Sequence, residues 1–354
     1  MSYLAADANI ATLASALLST VAAPFARALS PQGILYWPYL VSSGALALCI
    51  NLLSKKETNT INFRQAIAFL FPETIYKHKS ARLDFRYLFL NTLIYGVLIG
   101  PVIFTSGSVA RFTASALVDL FGVPDHPLRT GWIASIAAAA LLVLAADLGF
   151  YVSHYLRHKV PVLWEFHKVH HSAEVLHPIA GFRSHPMDLA LDAILISVAT
   201  GLVIGVAAYG VGASIEPVTI LGVNIFAFLS SIAGVHLRHS HIWLSFGRGL
   251  NHIFVSPAMH QIHHSIELQH LNRNFGGNFT LWDWIFGTLY VPTGREKITV
   301  GLTGEEHREY DSVLRLYLLP VKKAARLWLR SGPGKKSIID LTATLLRRVP
   351  KSRW

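Results

Sequence analysis

Three histidine motifs concentrate the chemistry in this chain. Residues 154–158 read H-x-x-x-H, residues 167–171 read H-x-x-H-H, and the second pattern returns at 260–264. On a helix, side chains three or four positions apart share one face. His154 and His158 can therefore reach one ion together, and His167 pairs in the same way with His170 or His171. Adjacent histidines such as His170 and His171 project about 100° apart, which suits two neighbouring ions better than one. The motifs thus offer eight imidazoles, from His154, His158, His167, His170, His171, His260, His263 and His264, to a two-metal centre.

Fourteen of the 18 histidines lie between 154 and 264, which separates this set from isolated surface histidines such as His78, His126, His270 and His307, to which no role is given. Single histidines at 177, 185, 236, 239, 241 and 252 stand between the motifs. Imidazole suits zinc, copper, iron or nickel, and histidine-rich iron sites with open positions perform oxygen chemistry. A structural zinc ion needs only four ligands. Bis-histidine haem is a rival, but it needs one ligand from each of two facing helices, not adjacent doublets.

The elements that must position these residues read as membrane helices. About half of the 354 residues (52%) are hydrophobic and only 14% are charged. Apolar blocks near twenty residues are the expected form of bilayer-crossing helices. Five such blocks run over 34–53, 87–106, 132–153, 188–212 and 217–236, the last two reading as a helical hairpin with only a few residues between them. A sixth apolar stretch, 9–28, lacks a basic n-region and carries Asp7 at its start, so it reads as an interfacial or extra membrane helix and not as a cleaved signal peptide. The expected architecture is all-α, a polytopic integral membrane protein with a cytoplasmic histidine-rich helical cap.

The net charge of +11 fits that topology. Loop 54–86 carries seven Lys or Arg and the segment after 294 carries fourteen, whereas 107–131 has only Arg111 and Arg129, offset by Asp119 and Asp125. The positive-inside rule places 54–86, 154–187 and everything from about 237 on the cytoplasmic side, with the histidines. Clustered ionisable groups next to a membrane are functional by default. They lie at span ends and not mid-span, which disfavours a transporter. No module of a known nucleic-acid-binding kind accompanies the basic charge. The single cysteine, Cys49, precludes an intramolecular disulfide or a thiolate cluster. No G-x-S-x-G element or P-loop is present, so hydrolase and nucleotide readings lack support.

The order of the motifs resembles the fatty acid hydroxylase and sterol desaturase superfamily. "DLGFYVSHYLRH" (147–158) looks like its first histidine box, "LWEFHKVHHS" (163–172) its second and "VSPAMHQIHHS" (255–265) its third. "RSHPMD" (183–188) looks like an intervening R-x-H-P element, and "NRNFGGNFTLWDWIFGTLY" (272–290) like the segment that follows the third box. The resemblance covers roughly 84–293, implying a catalytic domain there; a membrane segment with a basic cytoplasmic loop over 1–83 and a basic tail over 294–354 lie outside it.

By position, the resemblance implies the eight ligands above and adds His239 in "RHSHIW", where His241 stands in place of the usual Asn and is the alternative ligand. His185 is a weaker candidate, and His177, His236 and His252 are weaker still. A ligating imidazole usually donates its other N–H to a carboxylate or carbonyl. Asp147, two turns before His154, is the leading second partner, with Glu165, Asp188 and Asp283 as others and Asn274 turned toward the site from "NFGGN".

The implied activity is oxidation of an unactivated lipid C–H bond by a pair of irons, using O2 and two electrons. Hydroxylation of an acyl or sterol-like lipid is the first expectation and sterol-type desaturation the second; a histidine-rich membrane metal or haem protein is the alternative of another class. No H-P-G-G, CxxC or flavin fingerprint is present, so a separate ferredoxin or cytochrome b5 would supply electrons. The basic tail reads as a topology signal with a surface helix, and docking of an acidic redox partner or anionic lipid is its second reading. The expected location is the inner membrane in a bacterium or the endoplasmic reticulum in a eukaryote.

Overall fold

The computed structural model describes residues 22, 29–33, 35–54, 62–94, 105–125, 131–211 and 217–330. The expected stretch 9–28 lies outside them apart from residue 22. The main helices are α1 (Trp37–Ser54), α2 (Phe63–Leu70), α3 (Lys79–Ile94), α4 (Ser106–Phe121), α5 (Trp132–Lys159), α6 (Pro161–His171), α7 (Pro186–Val211), α8 (Ile225–Ile232), α9 (Pro257–His263), α10 (Leu281–Ile285) and α11 (Val313–Arg330).

Two helices match the expected spans closely. Among the described residues, α5 and α7 are long and apolar enough to cross a membrane by length and composition. At 1.5 Å per residue, the 28-residue α5 is roughly 42 Å long, which exceeds the ~30 Å hydrocarbon core by about two turns. Its last two turns carry His154 and His158. Helix α7 starts at Pro186, whose missing N–H costs nothing at a first helical position. The block at 34–53 corresponds to the shorter apolar α1.

The expected helix at 217–236 and the helical hairpin are replaced by shorter elements. Strands β1 (Thr219–Ile220) and β2 (Val223–Asn224) form a two-residue hairpin around Leu221 (φ 51°) and Gly222 (φ 74°). Two consecutive positive φ values give the turn the twist that joins adjacent strands. Asn224 then caps α8, whose eight residues span about 12 Å, too short to cross a bilayer. Gly234, at φ 92°, ends this segment in the left-handed region before a 3-10 turn over Val235–His239. A hydropathy window averages across these turn residues and does not register them.

The block 87–106 also divides. Its first residues finish α3 at Ile94, residues 95–104 lie outside the description, and Thr105 accepts a hydrogen bond from Ser108 N as the N-cap of α4. Helix α4 occupies part of the expected loop 107–131. Its polar residues obscured it, and its partner is only visible in three dimensions. Gly201 and Gly205, one turn apart on α7, receive α4 so closely that an added methyl group would lie 2.5 Å from Val109 Cβ or Thr113 Cβ. Ser106 and Thr200 share a hydrogen bond of 2.8 Å across the same contact. Gly149 admits α7 to α5, since a methyl there would lie 2.7 Å from Ile196 Cα. Small residues at such crossings let backbones approach where lipid supplies no hydrophobic drive.

The histidine-bearing end is enclosed by packing from several directions. Leu83 and Tyr87 of α3, Val169 of α6 and Leu316 of α11 form a buried cluster with Leu302 and Tyr310. Lys168 bridges Glu165 (2.9 Å) and Glu306 (3.0 Å), and Lys323 on α11 reaches Glu306 and Glu309. Ala47 of α1 packs with Leu237 and Ile242, on either side of the third histidine-bearing segment.

Candidate metal centre

Four short segments bring nine histidines together. The end of α5 supplies His154 and His158. After a single extended residue, Val160, the chain turns into α6 and supplies His167, His170 and His171. The 3-10 turn supplies His239, and α9 with its C-cap supplies His260, His263 and His264. Gly181, in the 3-10 turn Pro178–Phe182, leaves room for the His239 ring, since a methyl there would lie 2.9 Å from its Nδ1.

The nine imidazoles divide into two groups. His154, His158, His167, His171 and His263 form one; His170, His239, His260 and His264 form the other. Within each group one nitrogen per ring lies within 4.8 Å of all the rest. Both adjacent doublets are split, His170 from His171 and His263 from His264, with ring planes 89° and 85° apart. Each doublet therefore contributes one ring to each group, as the angular spacing of a helix requires.

The donor set fits metal ions. The Nε2 atoms of His154, His158 and His167 are buried without a hydrogen-bond partner. His239 Nε2 lies 3.0 Å from His264 Nε2, 3.1 Å from His260 Nε2 and 3.4 Å from His170 Nε2, and His263 Nε2 lies 3.2 Å from His171 Nε2. So many buried nitrogens pointed at one another are costly unless something between them accepts their lone pairs. Burial, reinforced by neighbouring cations and imidazoles, holds His167, His171, His239, His260 and His264 well below the usual histidine range. It pushes His170 down to about 3 and His263 down to about 4. Neutral rings at physiological pH are the ligating form.

The opposite ring nitrogens are anchored, which aims Nε2 at the centre. His154 Nδ1 donates to the Phe275 carbonyl (2.9 Å), His170 Nδ1 to the Arg183 carbonyl (3.3 Å) and His263 Nδ1 to the Arg273 carbonyl (2.9 Å). His167 Nδ1 donates to Asp188 Oδ2 (3.2 Å), and Arg157 stands between that carboxylate (Nη1 to Oδ2 3.9 Å) and Asp192, with which it pairs at 2.7 Å. Such outer partners fix tautomer and orientation.

Several expected outer residues act at one remove. Asp147 touches no histidine; its oxygens accept from the backbone N–H groups of Asn278 (2.5 Å) and Phe279 (3.1 Å). Asp283 accepts from Phe275 N and Gly276 N, each at 2.8 Å. These two carboxylates clamp the loop whose Phe275 carbonyl orients His154. Asn274, at φ 56°, donates to the Met259 and Tyr290 carbonyls instead of facing the histidine groups. Glu165 pairs with Lys168.

The weaker histidines stand outside both groups. His185 Nε2 donates to the Tyr317 carbonyl (3.2 Å) and His241 Nε2 to the Phe69 carbonyl (2.8 Å). His252 bonds the Arg248 carbonyl, and His177 Nε2 contacts Asp84 Oδ2 at 2.9 Å. Asp84 also pairs with Arg183 Nε, and the rest of that guanidinium donates to Ser172 Oγ (3.1 Å) and to Ser80 O and Oγ (both 2.9 Å). This buried network braces the carbonyl that orients His170. The R-x-H-P element pointed to Arg183, but Asp84, Ser80 and the three orienting carbonyls carried no readable signal.

A cavity of about 670 Å³ lies between α5 and α8, lined by apolar residues including Val143, Leu144, Phe226, Leu229 and Phe254 and by Arg238, the neighbour in sequence of His239. Among the described residues, Arg238 is the only charged one in its lining.

Residues 139–288 match the fatty acid hydroxylase family, inside the expected 84–293. The chain is 30% identical over 215 residues to the ornithine lipid hydroxylase OlsE of Rhizobium tropici, covering 59% of this chain and 58% of that protein. It is 27% identical over 161 residues to the alkylglycerol monooxygenase of Homo sapiens, covering 45% and 32%. It is 28% identical over 167 residues to the Delta(7)-sterol-C5(6)-desaturase of Nicotiana tabacum, covering 46% and 53%. The chain thus spans less than two thirds of each of these relatives. No solved structure matches it.

Proposed function

We propose that the chain is a membrane-bound non-haem di-iron oxygenase of the fatty acid hydroxylase and sterol desaturase superfamily acting on a lipid, a reading that its family match and its hydroxylase and desaturase relatives support. The observation that carries this reading is the division of nine buried histidines into two adjacent groups of five and four. Iron bound there would supply O2 reduction and C–H oxidation. Hydroxylation consumes one O2, two electrons and two protons and yields an alcohol and water; desaturation on the same inputs yields an alkene and two waters.

The chain's own residues hold, aim and shield. The nine histidines would hold the two irons. Asp188 and the carbonyls of Phe275, Arg183 and Arg273 keep four imidazoles turned inward. The packing of α3, α6 and α11 excludes bulk water from one side, and the apolar cavity between α5 and α8 offers space for a lipid chain. Hydroxylation is the preferred reading, in line with the names of the OlsE and alkylglycerol monooxygenase relatives; the desaturase relative keeps C=C formation as the second outcome.

The histidine end faces the cytoplasm in this proposal, because the basic segments flank it. Electrons come from a separate ferredoxin or cytochrome b5. Turnover by the purified chain with NAD(P)H alone would refute that part. Lipid mass spectrometry of cells with and without the gene product tests the whole: one lipid class should gain an oxygen atom or lose two hydrogens. Two irons per chain without haem absorption should accompany it, and a lipid profile unchanged by the active chain would sink the reading.

A further inference from the structure

The cavity between α5 and α8 is apolar almost throughout, and its few polar residues are unequal. Ser230 Oγ donates to Asn278 Oδ1 at 2.7 Å, so those two satisfy each other. Arg238 is different. Its Nε is buried without a hydrogen-bond partner, and among the described residues no carboxylate lies within ion-pair distance of it. Asp147, the acidic group whose field it feels, commits both oxygens to the backbone of Asn278 and Phe279. Arg238 is half-buried overall with its Nε fully buried, and a neutral ligand filling this cavity would desolvate the guanidinium further without supplying a counter-charge.

Resting on the oxygenase reading above, we propose that this cavity binds a lipid through an anionic oxygen head, a carboxylate or a phosphate, received by Arg238, while its apolar tail lies along α5 and α8. A planar guanidinium matches either head with two parallel N–H···O bonds. The volume of about 670 Å³ falls within the range of small-molecule sites. The rim is apolar: Leu229, Leu250 and Phe254 line the cavity and are 53%, 52% and 41% exposed, which suits an opening onto lipid. Arg238 directly precedes His239 in the same 3-10 turn, so the charged end of the ligand rests against the wall that carries the four-histidine group.

The test uses the full chain, loaded with iron, in neutral phosphatidylcholine nanodiscs. A bound fluorescent fatty acid is displaced with stearic acid, stearyl phosphate or methyl stearate. The wild type should prefer at least one anionic probe over the ester by about tenfold or more, the range of a charge-assisted contact, and the better of the two anions identifies the head. Arg238→Gln should abolish the preference while leaving ester binding in place; Arg238→Lys, which keeps the charge but not the fork, should retain a reduced preference. Val143→Trp should weaken all three probes together by filling the tail region. Equal binding of acid and ester by the wild type, a preference that survives Arg238→Gln, or no binding of any probe would overturn the proposal. If Arg238→Gln does not fold, the wild-type ratio and Arg238→Lys still decide. Iron content of the same samples reads the oxygenase assignment separately: iron-loaded chain without head preference sinks only this inference, and iron-free chain sinks only the other.

Discussion

His170 and His171 are neighbours in sequence, yet their rings stand 89° apart and serve different histidine groups. Their removal should therefore have distinguishable effects. His170→Ala leaves three imidazoles in its group, whereas His171→Ala leaves four. Each variant should lose iron from one group, His170→Ala more completely, and His170→Ala should abolish the lipid product. Metal analysis of the two purified variants checks this; loss of both irons to the same extent in both would argue for a shared, undivided site.

Asp188 fixes His167 through a 3.2 Å contact with Nδ1. Asp188→Asn keeps the size of the side chain but removes the charge that holds the tautomer. Iron affinity should fall by about 10- to 100-fold, the usual scale for such partners. Competition against a chelator measures it, and His167→Ala should then add little further loss.

The clamp on the loop 274–279 should be a point of stability. Asp283 accepts from two backbone N–H groups and from Thr288 Oγ1 (2.6 Å), all buried. Asp283→Ala strands these donors and should cost about 3 kcal/mol or more. Gly276→Ala should also destabilise, because its methyl would lie 2.5 Å from the Phe279 carbonyl and 2.8 Å from Asp283 Oδ2. Thermal unfolding in detergent reads both. A wild-type melting temperature in either variant would contradict the clamp.

Arg183 spends its guanidinium on Asp84, Ser172 and Ser80 at once. Lysine keeps the charge but not the fork, so Arg183→Lys should be far from conservative. Asp84→Ala should be worse, about 3–5 kcal/mol, since it leaves a buried guanidinium without its carboxylate. Since the Arg183 carbonyl orients His170, Arg183→Lys should also loosen iron in the four-histidine group. Melting and chelator competition should shift together.

Acid should destabilise the metal-free protein. Burial holds His170 at about 3 and His263 at about 4, below the unfolded value near 6.5. Between those limits the unfolded chain binds more protons than the folded one, so stability falls as pH drops below about 6.5. The loss levels off once the folded rings also protonate, near pH 4 for His263 and near 3 for His170. Each such ring contributes up to about 1.4 kcal/mol per pH unit within its window. Unfolding of chelator-stripped protein from pH 8 to pH 5 should show a steepening decline below 6.5, and a flat profile would count against neutral buried rings.

The sequence by itself determined the parts whose signal is local. Helical spacing marked the three histidine motifs, the doublets indicated two ligand groups, and uninterrupted apolar runs marked α5 and α7. It misled where hydropathy averages over turn chemistry, as at Leu221, Gly222 and Gly234, and where a polar helix such as α4 finds its partner only through Gly201 and Gly205 on α7.

Only the tertiary structure decided which nitrogen meets which. The 5:4 division of the histidines, the carbonyls of Phe275, Arg183 and Arg273 behind their rings, the turning of Asp147 and Asp283 onto a loop, and the placing of His185 and His241 outside the centre all depend on contacts between distant segments. Backbone carbonyls look alike in every sequence, and a carboxylate is satisfied by whichever donor the fold brings to it. The residue types set what chemistry was available; the closure of four segments around one buried space set which atoms perform it.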